Sequence, residues 1–329
     1  MSVKNAHMSI GERLAGGKYT AVVLQPQYLV YFILLMLVAV ATMFFPGFLG
    51  TGHIAAMLRL ASFLGIVCIG QNLVMLTGGF DISVPATITL GNVVGAGILM
   101  GNDANIPLAL LAVLLVGAAA GIVIALGITA FNIPPFIMTL GMGSVIMGAA
   151  LIFTGGAPIG RTSPLLTTFT SSNLVGPFSG TVVLWVVMAL IFMMVMRYTT
   201  FGRHVRALGA NATAARFSGV PTKKTRALAF ITASMLYAFT GFLLVGFTGT
   251  THLEIGLVYH PNNIAAVIIG GTSVRGGRGG YLGTFGGVLI MIVLTNFLAL
   301  LHIPESMRQI INGLILISLI VLYAREKER

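Results

Sequence analysis

The sequence predicts an all-α polytopic membrane protein of about ten transmembrane helices, with both termini cytoplasmic and the spans divided five and five, the plan of an inverted repeat. Three observations predict it. Hydrophobic residues make up 57% of the 329 and charged residues only 8%, where a soluble domain carries about 25% charged residues. The apolar residues come in continuous runs of about 18 or more, the length of a helical span, rather than in the alternation of a barrel strand. The basic residues gather in alternate connections, the pattern that sets orientation in a membrane. That placement explains the net charge of +11 through topology and contact with membrane lipid, and no nucleic-acid partner is implied.

Residues 1–27 are polar and basic and form the expected cytoplasmic N-terminal tail. The first apolar run, 28–45, ends in Phe44-Phe45-Pro46-Gly47 with no small-x-small cleavage site, so it is expected to be a retained span and not a signal peptide. Further spans fall at about 59–76, 84–101, 107–131, 134–155, 181–197, 227–248, 262–273, 281–302 and 309–324, with a short tail at 325–329. No linker divides 28–324, which is one membrane domain. With the N-terminus inside, the cytoplasmic segments hold Lys4, Arg13, Lys18, Arg197, Arg203, Arg206, Arg216, Lys223, Lys224, Arg226, Arg275, Arg278, Arg325, Lys327 and Arg329. That is fifteen of the 18 basic residues, and only Arg59, Arg161 and Arg308 fall outside.

Glycine pairs such as Gly91/Gly95, Gly117/Gly121 and Gly283/Gly287 suit close helix packing. Cys68 is the single cysteine, so no intrachain disulfide exists and its expected role is packing. The longest outer connection, 156–180, is rich in Gly, Pro, Ser and Thr. The run at 262–273 is short and ends in glycines, as a re-entrant or broken helix would. Irregular backbone at membrane depth survives only inside protein or along a wet cavity. A second glycine-interrupted patch, 77–83, does not stand at the matching position of the other half.

Catalytic chemistry finds no support. The seven acids lie near span ends or in loops and form no pair inside a span. The six histidines show no metal-ligand spacing. Gly16-Gly17-Lys18 is followed by Tyr19 and lacks the leading glycine of a phosphate loop. The chain therefore carries no cofactor and no evident energy source, which a separate ATPase would supply. A self-contained secondary transporter is the alternative, but Asp81 has no second acid as partner. A membrane-embedded enzyme lacks a nucleophile–base set.

Asp81 and Ser83 sit at the break before the third span. A carboxylate beside hydrocarbon is costly unless paired or wet. It is either an acceptor at a broken helix on the pathway or a cap for the span that follows. Asn72, Thr139 and Asn263 lie within or at the ends of apolar runs, and Thr272 lies in the glycine patch. Neutral groups of this kind suit an uncharged polyhydroxylated ligand, or equally interhelical hydrogen bonds. Phe136, beside Pro134-Pro135, is a candidate for stacking on a sugar face or a packed aromatic at a helix start.

The segment 198–226 is the longest polar excursion on the cytoplasmic side. Basic residues there could serve topology and lipid contact alone. The Gly-punctuated helical pattern of Ala207–Val220 is longer than a turn needs and favours docking to a partner. Gly209 and Gly219 are expected to bracket a short helix there, and with Asn211, Ala214, Ala215 and Arg216 they are its candidate coupling residues.

Three blocks carry a resemblance to a known family: Leu76-Thr77-Gly78-Gly79-Phe80-Asp81-Ile82-Ser83-Val84, the run Gly202–Val220, and Ile264–Ser273 followed by Gly276-Gly277. With them the chain resembles the permease subunits of ATP-binding-cassette importers for simple sugars, the ribose-type family related to branched-chain amino acid permeases. The resemblance implies a bacterial inner-membrane permease that works as a homo- or heterodimer. It implies as partners a cytoplasmic ATP-binding-cassette ATPase, which uses the ATP, and a periplasmic sugar-binding protein. Gly202–Val220 would be the loop coupled to the ATPase. The chain departs from the family pattern at Ala212-Thr213, where acids are usual, at Val84-Pro85-Ala86, and at His260-Pro261-Asn262-Asn263.

Overall fold

Thirteen helices and one two-stranded hairpin make up the described residues, 26–325, of the computed structural model. They run α1 (Pro26–Phe44), α2 (Thr51–Leu76), α3 (Val84–Leu99), α4 (Ile106–Thr129), α5 (Pro135–Thr154), α6 (Pro164–Ser171), β1 (Asn173–Val175), β2 (Phe178–Ser179) and α7 (Gly180–Tyr198). Then come α8 (Thr200–Ala210), α9 (Ala212–Phe217), α10 (Thr222–Thr248), α11 (Tyr259–Ile269), α12 (Tyr281–Leu300) and α13 (Glu305–Arg325). Each of the ten apolar runs contains a helix. The expected tails lie outside the described residues, apart from 26–27 and 325 at the ends of α1 and α13.

Six helical segments among the described residues are long and apolar enough to cross a membrane: α2, α4 with the turn before it, α5, α7, α10 and α12. The architecture is that of a multi-pass membrane protein. Helix α11 has eleven residues, about 16 Å at the usual rise, and falls short of a bilayer core of about 30 Å. The connection at 156–180, rich in Gly, Pro, Ser and Thr, carries α6 and the β1–β2 hairpin.

Local sequence explains the boundaries. Proline stands in the first turn of α3, α4, α5 and α6, where its missing N–H costs nothing. Glycines with positive φ close α2, α5, α9, α10 and α11.

Helix α10 is the centre of the bundle and packs against α4, α3 and α2. The contact is backbone on backbone. A β-carbon on Gly91 of α3 would run into the carbonyl of Ala238 on α10, and one on Gly241 of α10 would lie 2.7 Å from the Asn92 nitrogen. On the far side of α2, the buried Trp185 of α7 stacks on Phe285 of α12 at 4.3 Å. Its indole N–H donates to the Tyr281 hydroxyl at 2.8 Å, and Tyr281 donates to the Gly65 carbonyl at 2.6 Å. This relay ties α7, α12 and α2 through otherwise apolar surface.

Segments expected on the same side of the membrane meet. Gly101 N–H donates to the Arg161 carbonyl, and Thr162 N–H to Gly249, at one end. Leu76, Gly209 and Gly277 meet at the other.

Candidate functional site

Helix α2 ends before Asp81 for a legible reason. Gly78 takes φ of +76°. Its N–H donates to Met75 and that of Gly79 to Val74, the double closure of a Schellman motif. The chain then runs without helix to Val84. Asp81 is fully buried. One oxygen, Oδ1, accepts from the Ser83 N–H at 2.8 Å and from the Ser83 hydroxyl at 2.6 Å. The other, Oδ2, has no partner among the described residues. The Ser83 side chain makes no cap bond to α3, so the local acceptor is Asp81, two residues earlier. Thr139, in the first turns of α5, pins the same stretch: its hydroxyl accepts from the Ile82 N–H at 3.1 Å and lies 3.3 Å from the Phe80 carbonyl. Phe136 is half exposed, one turn away, and stacks on no other aromatic ring among the described residues.

Helix α11 closes in the same way. Gly271 has φ of +79°, its N–H donates to Ile268, and that of Thr272 donates to Val267. The Thr272 side chain then turns to α2. Asn72 Nδ2 donates to the Thr272 hydroxyl at 2.8 Å and to the Thr284 hydroxyl of α12 at 2.9 Å. Asn72 and Thr272 are therefore brought together, and Thr284 joins them unannounced by the sequence. One turn earlier on α2, the Cys68 thiol donates to the Asn263 carbonyl at 3.7 Å. On the next face of α2, Gln71 accepts from the Tyr237 hydroxyl at 3.2 Å. Several buried atoms here lack partners among the described residues: Asn72 Oδ1, Gln71 Nε2, and both polar atoms of Asn263. Each would cost about 1–3 kcal/mol if it stayed dry and unpaired. The groups are all neutral donors and acceptors, suited to hydroxyls or water.

The 198–226 segment is two helices, α8 and α9, set in a hairpin. Helix α8 is amphipathic: Gly202, Val205 and Leu208 are buried, while Arg203 and Arg206 are exposed. Gly209, expected to bracket the docking helix, lies in the last turn of α8. A side chain there would strike the Leu76 carbonyl and the Gly277 nitrogen, so packing requires glycine. Helix α9 is six residues long and capped at both ends. Asn211 Oδ1 accepts from the Ala214 N–H at 3.0 Å, an N-cap bond. Gly219, at φ +82°, closes the other end: its N–H donates to Arg216, and that of Val220 to Ala215.

Ala215 faces inward, while Ala214 and Arg216 are exposed. Phe217 is 86% exposed. A large aromatic in a six-residue turn gave no sequence signal of its own. Segments 198–226 and 270–280 contain no acid, so their face is purely cationic. No His/Cys/Asp/Glu cluster fit for a metal occurs among the described residues.

Comparison with known proteins gives the family of the chain. Residues 53–320 match the family model of the branched-chain amino acid transport system permease component. The chain is 30% identical over 305 residues to the ribose import permease of Escherichia coli K12, covering 90% of this chain and 92% of that one. It is 31% identical over 322 residues to the galactose/methyl galactoside import permease of Haemophilus influenzae, covering 92% and 96%. Against the ribose import permease of Bacillus subtilis 168 it is 32% identical over 293 residues, covering 88% and 90%. No solved structure matches it. With both helix breaks and the capped hairpin inside the matched region, the chain belongs to the family of branched-chain amino acid transport system permease components.

Proposed function

We propose that this chain is the permease of an ATP-binding-cassette importer that moves a monosaccharide-type solute into the cytoplasm of a bacterium. The relatives are named as importers of ribose and of galactose. The observation that carries the reading is the capped helix α9, which holds Arg216 and Phe217 outward on a rigid short element. This is the surface for the cytoplasmic ATPase, which binds and hydrolyses the ATP. In this reading the chain has ten spans with both termini inside, which puts α9 on the cytoplasmic side of the inner membrane. A second permease chain, identical or related, completes the membrane unit, and a periplasmic binding protein delivers the solute. The pathway is assigned to Asn72, Thr272 and Asn263, with Asp81, Ser83, Thr139 and Phe136 at the first break. The neutral hydrogen-bonding groups of Asn72, Thr272 and Asn263, several of them unpaired among the described residues, support an uncharged polyhydroxylated solute.

The test is uptake of labelled ribose and galactose into vesicles holding the chain, its ATPase and its binding protein. ATP-dependent accumulation of one of them is expected. Accumulation without ATP, driven by an ion gradient, would overturn the reading in favour of a secondary transporter.

A further inference from the structure

Helix α8 meets the membrane domain through glycine backbone. Gly277 N–H donates to the Leu76 carbonyl at 3.0 Å, one of the last-turn carbonyls of α2 that no helical donor reaches. A β-carbon on Gly276 would lie 2.6 Å from Gly78 N and 3.0 Å from Gly209 Cα. One on Gly277 would lie 2.6 Å from Ala210 N and 2.7 Å from its Cα. Gly276 and Gly277 have φ of +90° and +74°, values that only glycine adopts without strain. The exposed Arg206 of α8 adds a clasp, its Nη1 donating to the Gly279 carbonyl at 3.4 Å. The 276–277 turn is thus wedged between the end of α2 and the end of α8.

We propose that Gly276 and Gly277 are the transmission residues of the transporter: α8 and the 270–280 loop move as one body and carry the stroke of the coupling hairpin to both helix breaks. The inference rests on the permease reading above. A contact made by side chains can absorb a displacement by changing rotamers. Close-packed backbones cannot, so a shift on one side passes to the other. From this wedge two routes open. Through the Leu76 carbonyl the push reaches the end of α2, five residues before Asp81. Along the loop it reaches Thr272, whose hydroxyl holds Asn72 and faces Thr284.

The experiment uses vesicles with the full chain, its ATPase and its binding protein, in a Cys68→Ser background. Ala210→Cys and Arg278→Cys, both exposed positions, are joined by a short bis-maleimide. Because the two segments travel together, the linked protein is expected to keep transporting. Loss of transport on linking, with ATP hydrolysis intact, would show that they separate during the cycle and would overturn the proposal.

In parallel, Gly277→Ala is expected to lower solute moved per ATP hydrolysed by about tenfold, a typical coupling loss, with ATPase capture and hydrolysis unchanged. A residue important only for folding would lower all three together. A folded Gly277→Ala protein with normal coupling overturns the proposal. If that variant does not fold, the cross-link decides alone. An error in the permease reading itself would appear separately, as absence of ATP-driven transport by the unmodified chain.

Discussion

Asn72 and Thr272 stand 200 positions apart and share a 2.8 Å hydrogen bond in the buried interior. The same amide nitrogen reaches Thr284, so one side chain joins α2, the loop after α11, and α12. Asn72→Leu removes both bonds. The two threonine hydroxyls lie 3.5 Å apart and can partly satisfy each other. The loss of stability is therefore expected near the low end of about 1–3 kcal/mol for two such bonds. Thermal unfolding in detergent measures it, and an unchanged midpoint would mean the cluster contributes nothing.

Asp81 bonds Ser83 through a single oxygen. Asparagine offers the same oxygen in the same place, so Asp81→Asn should keep most transport, whereas Asp81→Leu should lower the yield of folded protein. A well-folded Asp81→Asn protein without transport would show that the negative charge itself, or the unpaired Oδ2, has a direct role.

Helix α9 is too short to persist by hydrogen bonds within itself. Its order comes from Asn211, Gly219 and the inward Ala215. Asn211→Ala should cost about 1 kcal/mol locally and weaken capture of the ATPase, and Asn211→Asp should restore it. Equal capture by all three proteins would count against α9 as the docking element.

Arg216 offers a planar fork for a carboxylate on the ATPase. Arg216→Glu should abolish association or stimulated ATP hydrolysis while the membrane domain stays folded. Unchanged association and hydrolysis for Arg216→Glu combined with Ala215→Trp would place docking elsewhere.

The cytoplasmic placement of the hairpin is tested by labelling. Thr213→Cys in a Cys68-free background should resist an impermeant thiol reagent applied to intact cells and react after permeabilisation. Ready labelling from outside would invert the orientation drawn from the basic residues.

Much of this was legible from the residues alone. Apolar runs mark ten of the thirteen helices, because a bilayer leaves only helices or closed barrels for a spanning chain. The early end of α11 was visible in Gly270-Gly271. The caps of α9 were present as Asn211 and Gly219, but the start of the helix was misplaced to Gly209. A glycine needed for packing and one needed for a turn look alike in sequence. The meeting of Leu76, Gly209 and Gly277 could not be read: α2 is apolar on all sides and carries no stripe that tells which face meets which neighbour, and Gly277 lies in a loop without any period. For the same reason Gln71, Thr284 and Tyr237 stood out no more than other polar residues in apolar runs.

The contact of α10 with α3 has its own consequence. Where Gly91 and Gly241 bring the two main chains together, there is no gap for water and no slack for breathing. Their amide protons should be among the slowest in the molecule to exchange with solvent, and these two helices with α4 would act as a stator. Alternation between outward and inward openings must then fall to parts held less closely, among them α5, most of whose surface the rest of the chain leaves uncovered.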